Sequence, residues 1–401
     1  MRMPNELRGG QVLNLALATT AFAVTFWAWN LIGPLAGSYS RQLGLSPPQT
    51  SLLVAIPVLV GSLGRIPVGV LTDKLGGRVM FAAVCFVTIV PVLGVGLSDS
   101  YGWLLLWGFL LGLGGTSFAV GIPFVNAWYR PERRGFATGV FGMGMGGTAV
   151  SAFLTPRLVE SFGRTQTHVL MAVLLAVMGV VILLFSRDSP EWRPATTSAL
   201  PRIREAVKIK ATWQCAFLYA VCFGGFVAFS TYLPTLLQVV YGYTQTDAGL
   251  RDAGFSLAAV FARPVGGTLS DRIGAARVLL VSFAGTAIMA VVLAFEPPPE
   301  IPAGLCFVLM ALFLGLGTGG VFALVAKLVE PSRVGTVTGL VGAAGGLGGY
   351  FPPLVMGVVY SVTQAYTIGY LLLALTALAA LFYTAKAFIS ASRNGGGPAP
   401  R

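Results

Sequence analysis

Apolar runs of helix length recur from one end of the chain to the other, separated by short stretches rich in Gly, Pro and charge. A helix needs about 20 such residues to cross a hydrocarbon core about 30 Å thick. Twelve runs approach or exceed that length, near residues 14–36, 50–71, 79–97, 102–126, 136–156, 167–186, 213–236, 249–270, 277–295, 302–326, 334–358 and 366–389. The longest polar interruption, "SRDSPEWRPATTSALPRIREAVKIK" from Ser186 to Lys210, falls between the sixth and seventh. The pattern predicts an all-α integral membrane protein with twelve transmembrane helices. Its units are a six-helix bundle over 1–186, a cytoplasmic linker over 187–211, a second six-helix bundle over 212–390 and a disordered cytoplasmic tail over 391–401.

Composition supports this reading. Of 401 residues, 55% are hydrophobic and only 10% charged, against about 25% charged in soluble domains. The 52 glycines and 24 prolines would weaken long helices in water, yet both are frequent in membrane helices, where small residues permit close packing. A net charge of +12 raises the question of nucleic acid, and topology answers it. With both termini cytoplasmic, four of the 26 Lys and Arg lie outside (Arg41, Arg157, Arg164, Arg251), two lie within spans, and the remaining twenty face the cytoplasm. Basic loops on the cytoplasmic side of a multi-pass membrane protein explain the charge without a nucleic-acid partner. The four cysteines sit in apolar runs without metal-ligand spacing and read as free packing thiols. No metal or cofactor is expected. A short polar stretch followed by a long apolar run without an obvious cleavage site reads as a first span rather than a removed signal peptide. The single histidine, His168, opens the sixth run and reads as a solvated loop residue.

The two halves repeat each other. "PERRGFATGVFG" (Pro131–Gly142) matches "PSRVGTVTGLVG" (Pro331–Gly342) at an offset of 200, and Pro34 matches Pro234 at the same offset. Within "VAIPVLVGSLGRIPVGVLTDKLGGR" Arg65 precedes Asp73 by eight residues, and within "FSLAAVFARPVGGTLSDRIGAAR" Arg263 precedes Asp271 by eight. A pseudo-two-fold axis along the membrane normal follows. Eight residues of helix rise about 12 Å, which puts both arginines near the midplane. Each costs about 2.5–3.5 kcal/mol there on insertion scales. All fourteen Asp and Glu can be assigned to loops or span ends, so the counter-charge is expected to be a ligand. A guanidinium stays protonated and presents a planar fork of donors, which suits nitrate, nitrite or another small carboxylate-like anion. The spans lack the acids, bases or metal ligands of an enzyme, and no catalytic residue is assigned.

Two glycine runs add to the picture: "GVFGMGMGGTAV" (Gly139–Val150) and "GLVGAAGGLGGYFPP" (Gly339–Pro353). Close packing accounts for part of this density. Glycines on more than one face also let a helix slide and expose its backbone to a ligand. Phe118 and the i, i+4 pair Tyr219 and Phe223 could stack on a flat anion, although plain packing is the better account of each taken singly.

Here the residues resemble a known family. "GVLTDKLGGR" (Gly69–Arg78) resembles the loop between spans two and three of the major facilitator superfamily, and "SDRIGAAR" is its degenerate echo. The deep arginines of spans two and eight and the glycine runs of spans five and eleven resemble the nitrate/nitrite porters, as does "FWAWNLIGPL" (Phe26–Leu35). The resemblance covers all twelve spans. It implies the major facilitator fold, with Arg65 and Arg263 clamping one anion between Phe118, Tyr219 and Phe223. The family often has Gly-x-Gly-Asn in span five, where this chain has Gly144-Met145. The asparagine's contact is then expected to be missing, or supplied by Asn30 or Asn126. Gly345 is expected beside the anion in span eleven. Asp73, Arg78 and Asp271 are expected to steady one state of the gate. The implied function is nitrate/nitrite exchange by alternating access. Alternatives are proton-coupled nitrate symport, or facilitated transport of another small anion such as cyanate or a monocarboxylate. The expected partners are the anion and membrane lipid, with the protein a monomer.

Overall fold

The computed structural model describes residues 5–130, 133–194, 199–330 and 333–390. The expected tail at 391–401 and the loop dipeptides 131–132 and 331–332 lie outside these residues. Among the described residues every regular element is helical. The first span comprises α1 (Asn5–Trp29) and α2 (Ile32–Leu43), the second α3 (Pro47–Leu63) and α4 (Arg65–Leu75), and the third α5 (Gly77–Leu97). The fourth comprises α6 (Tyr101–Leu111) and α7 (Ser117–Trp128), the fifth α8 (Arg134–Gly142) and α9 (Gly147–Phe162), and the sixth α10 (Arg164–Phe185). A short helix, α11 (Ala199–Lys208), precedes the second bundle. That bundle runs through α12 (Lys210–Tyr241), α13 (Gln245–Ile273), α14 (Ala275–Leu293) and α15 (Ala303–Leu328). It ends with α16 (Val334–Gly348) and α17 (Phe351–Thr363) as the eleventh span and α18 (Thr367–Thr384) in the twelfth.

Eleven of these spans are apolar enough to cross a membrane on hydropathy alone. The exception is α13, which carries Asp247, Arg251, Asp252 and Arg263. Its 29 residues are nevertheless long enough, and it packs along α15, α9 and α12. With it the chain has twelve spans in two six-helix bundles. Such a helix tolerates charge because its polar face is turned into protein rather than lipid.

Five spans are built from two helical pieces, and the sequence explains where they break. Between α3 and α4 the chain passes through Gly64, and Pro67 in the first turn of α4 has no N–H to donate backwards. Pro34 sits likewise in the first turn of α2. The glycine-rich segments Gly112–Thr116 and Met143–Gly146 tighten into single 3₁₀ turns that join the halves of spans four and five. Arg65 is therefore the first residue after a break. Arg263 lies immediately before Pro264, which cannot donate to the preceding turn of α13.

The bundles touch most closely at the end opposite the chain termini, called here the distal end. Asn30 Nδ2 donates to Ser230 O at 3.3 Å, a pair related by the 200-residue offset of the repeat. Thr246 Oγ1 bonds Glu160 Oε2 at 3.0 Å, Ser51 Oγ bonds Tyr232 OH at 3.3 Å, and Ser38 bonds Gln245. A Cβ on Gly249 of α13 would lie 2.2 Å from Ala152 O of α9. Toward the termini the packing is looser, and Cβ atoms on Gly139, Gly267 and Gly339 would meet nothing within 4 Å.

Two corrections to the sequence reading belong here. His168 is not a solvated loop residue: it is fully buried in α10, its Nδ1 is 2.7 Å from Arg164 O, and its ring packs on Gly96. Asp252 is not a span-end carboxylate either, because α13 begins at Gln245 and buries it completely. The four cysteines are free and buried.

The glycine contacts separate close-packed from open positions. A Cβ at Gly147 would sit 2.0 Å from Ala23 O on α1. Gly147→Val therefore forces backbone apart and should lower the thermal midpoint in detergent by several degrees, an overpacking cost of about 1–3 kcal/mol or more. Gly139→Ala, with open space around it, should leave the midpoint unchanged or raise it.

Candidate functional site

The midplane of the molecule is organised by the two arginines. Arg65 is 4% exposed and reaches across the seam, where its Nη1 donates to Gly342 O of α16 at 2.7 Å. Arg263 is 6% exposed and reaches the other way, with Nη1 3.0 Å from Met145 Sδ and Nη2 donating to Tyr219 OH at 3.4 Å. Each arginine thus contacts the opposite bundle. One ring serves both: the guanidinium carbons of Arg65 and Arg263 lie 4.9 and 5.8 Å from the centroid of Phe118. Arg65 also lies 5.5 Å from the Phe223 ring, and Arg263 lies 5.7 Å from Phe322.

The aromatic walls are ordered by helix periodicity and by glycine. Tyr219 and Phe223, one turn apart on α12, stack with centroids 5.0 Å apart and planes 2° from parallel. Phe118 lies over Phe223 at 6.5 Å with planes 24° apart. Gly345 of α16 makes room for Tyr219, since a Cβ there would come within 2.1 Å of the ring. Gly342 lies under Phe118 in the same way, at 3.3 Å, and uses its bare backbone to present a carbonyl to Arg65.

No carboxylate joins this cluster. Among the described residues the ion pairs formed by arginine involve Arg164, Arg202, Arg251 and Arg333, never Arg65 or Arg263. The partners the two arginines do have are weak. A thioether is a poor acceptor, the bond to Tyr219 is long, and Arg65 Nε is buried without a hydrogen-bond partner. Two fixed cations with spare donor capacity face each other between flat aromatic surfaces. Such an arrangement can hold one small, planar anion by charge-assisted hydrogen bonds. Among the described residues no group of three or more His, Cys, Asp or Glu is gathered as metal ligands.

Several expected site residues are placed elsewhere. Gly144 packs against α1, where its Cβ position lies 2.6 Å from Phe22 and 2.7 Å from Thr19 O, so it faces away from the arginines. Its neighbour Met145 is the span-five residue that reaches Arg263. Asn30 does not supply the missing asparagine contact, because its amide is committed to Thr148 O and Ser230 O in the distal seam. Asn126 accepts from Thr138 Oγ1 at 3.0 Å instead. Phe322 was not identified from the sequence, since one phenylalanine in an apolar helix carries no distinguishing pattern.

The loop residues lie at the terminal end. Asp73 pairs with Arg202 of α11 at 3.2 Å, both partly exposed. The start of α5 is capped by Asp188, whose Oδ1 accepts from Gly77 N at 2.7 Å and Arg78 N at 3.2 Å, while Arg78 Nη2 bonds Leu183 O. Asp271 is exposed. Asp188, from the segment that follows α10, is thus a second acid in this corner that the loop motif does not contain.

Comparison with known proteins agrees with this geometry. The Major Facilitator Superfamily model matches residues 18–251 and 241–400. The "Probable nitrate/nitrite transporter NarK2" of Mycobacterium tuberculosis is 57% identical over 380 residues, spanning 94% of this chain and 96% of that protein. The "Nitrite extrusion protein" of Bacillus subtilis is 36% identical over 369 residues, 92% of each chain. The "Probable nitrate/nitrite antiporter NarK1" of Thermus thermophilus is 36% identical over 384 residues, 88% of this chain and 85% of that one. Among solved structures, a bacterial homologue of the human lysosomal transporter Spinster in an inward-facing, occupied conformation superposes with a TM-score of 0.72. It covers 96% of this chain and 98% of its own at 19% identity, a likeness of fold. Two opposed deep arginines, the glycine helices that admit them and this extent of identity lead to one conclusion: the chain belongs to the nitrate/nitrite porter family of the major facilitator superfamily.

Proposed function

We propose that the protein carries nitrate and nitrite across the bacterial inner membrane by alternating access, exchanging one for the other, with both termini in the cytoplasm. The observation that carries this reading is the pair of guanidinium groups at one Phe118 ring with no acid to neutralise either. The printed names of the relatives, which include a nitrate/nitrite antiporter and a nitrite extrusion protein, point to the same ligands. Orientation rests on the excess of Lys and Arg at the terminal end. In that orientation the closely packed distal end faces outside, and the described state is closed to the exterior.

In this mechanism the anion replaces the weak partners. It takes the donors now turned to Met145 Sδ, Tyr219 OH and Gly342 O, and its planar face lies against Phe118 and Phe223. Without it, closing the bundles brings two like charges together at low dielectric, which opposes closure. With it, the repulsion becomes attraction from both sides. The loaded carrier crosses and the empty one returns poorly, which is the logic of exchange. The case for exchange rests on this repulsion alone. A lack of acids inside the spans plays no part, since Asp252 is buried in α13. Asp73 with Arg202, and Arg78 with Leu183, hold the terminal ends of spans two and three against α11 and α10. In this reading they bias which face opens.

Lysine keeps the charge but loses the fork. Arg65→Lys and Arg263→Lys should each lower nitrate affinity by about tenfold or more, measured by binding to detergent-solubilised protein. Wild-type affinity in either variant would refute recognition by the paired forks. In proteoliposomes, nitrate uptake should require nitrite or nitrate inside. Accumulation into anion-free vesicles driven by an imposed pH gradient would instead establish proton symport.

A further inference from the structure

Asp252 is an acid that the anion site does not use. It is fully buried on α13, and neither carboxyl oxygen has a hydrogen-bond partner. Ser256, one turn on, is also fully buried with an unpartnered Oγ. Asp252 precedes Arg263 by eleven residues, about three turns or 16 Å of helix, so Asp252, Ser256 and Arg263 share one stripe of α13. That stripe borders the seam between the bundles: Gly249 packs on Ala152 of α9, and Ala253 joins Ala149 and Ala152 in an apolar cluster. Asp252 therefore lies beside the route from the distal end to the arginines, under a closed gate.

The surroundings offer no counter-charge. The titratable or charged groups at this end of the elements packed on α13 are Arg157 and Glu160 on α9, and Tyr232 and Tyr241 on α12. Tyr39 and Arg41 on α2 and Cys306 on α15 complete the set, and α14 carries none here. On α13 itself Arg251 turns to Glu300, Asp247 to Thr244, and Arg263 lies three turns away. None is hydrogen-bonded or ion-paired to Asp252. Asn30 Oδ1, Tyr39 OH and Thr235 Oγ1 are likewise buried without partners at this end. A seam with so many unmet polar atoms is built to be wet in its other state.

We infer that Asp252 is a proton-binding site in the distal gate: the gate closes over the neutral acid, whereas the ionised carboxylate holds it open and repels an incoming anion. An uncompensated carboxylate is the form that burial disfavours most, and opening α13 away from α9 would hydrate it. The closed state thus holds one proton more than the open state, so acid on the distal side favours closure and alkali favours opening. The site regulates the gate and exchanges its proton with the distal side; it does not drive accumulation. It deepens the transport reading and rests on alternating access, though not on the identity of the anion.

The test uses the whole protein in nitrate-free proteoliposomes, with spin labels on Phe162→Cys at the end of α9 and Leu250→Cys on α13. Both positions are exposed, while the native cysteines are buried. Between pH 5 and 8 the ratio of long to short distances should rise with pH, by up to about tenfold per unit for a single proton. In Asp252→Asn, which keeps size and hydrogen-bonding capacity, the ratio should stay at its acid value and vary less than about twofold. Exposed Glu300, held below the usual carboxylate range by its hydrogen bonds to Arg251 and Tyr243, stays ionised throughout. A wild-type ratio that ignores pH, or an Asp252→Asn ratio that follows it unchanged, overturns the inference. So does a shift reproduced at fixed pH by exchanging potassium for sodium, which would make the ligand a metal cation. A pH-dependent distance in a protein that fails to exchange nitrate would uphold the gate and refute only the anion assignment.

Discussion

Two guanidinium groups held in the middle of a membrane protein without a carboxylate are the constraint around which the rest of the structure is arranged. An arginine at this depth must find donors' partners or lose the free energy of its hydration. The protein meets that demand only halfway, through one carbonyl, one thioether, one phenol and the faces of three phenylalanines. The shortfall is what leaves room for a ligand. Had a buried glutamate neutralised either arginine, the site would be a structural ion pair with little reason to bind an anion.

Placing those cations requires irregular helices, and the glycine and proline content follows from that requirement. Arg65 starts a helix after a break at Gly64, and Arg263 precedes a proline. Gly342 and Gly345 let α16 come close enough for a backbone carbonyl to meet Arg65 and for Tyr219 to lie flat beside Phe223. A helix lined with larger side chains would hold the bundles apart and leave both guanidinium groups unsatisfied. The same bare surfaces give weak resistance to sliding, which suits helices that repack between two states.

The two ends of the molecule are built differently. At the distal end the seam is closed by small residues, a few polar bonds, one of them between the repeat-related Asn30 and Ser230, and several polar atoms with no partner. At the terminal end the corner is held by ionic and capping contacts: Asp73 with Arg202, and Asp188 with the first amides of α5. Charged contacts in water exchange partners at little cost, whereas buried unpaired polar groups penalise the state that buries them. The closed distal gate is therefore poised rather than locked.

Much of this was legible in the chain. Hydropathy runs mark the spans, because only helices satisfy their own backbone in lipid, although α13 falls short on hydropathy alone and is placed by its length and packing. The 200-residue offset announces two related bundles, and arginines amid apolar runs announce themselves by cost. The aromatic clamp of Tyr219 and Phe223 follows from their i, i+4 spacing once a site is supposed. What sequence left undecided were directions and depths. Whether Gly144 or Met145 faces the arginines depends on a 3₁₀ turn that changes the helical phase. Asn30 was free on paper to meet the anion, yet tertiary packing commits its amide to the opposite bundle. His168 and Asp252 looked like loop or end residues because hydropathy windows fade where polar residues begin. Helices do not stop there: Thr244 caps α13 through Asp247 N, and Gly163, at φ +87°, precedes α10, so His168 falls in the second turn of its helix and Asp252 at the start of the third, and both are buried. Composition along the chain settles which segments enter the membrane. Which face of each segment meets the other bundle is settled only when the helices pack.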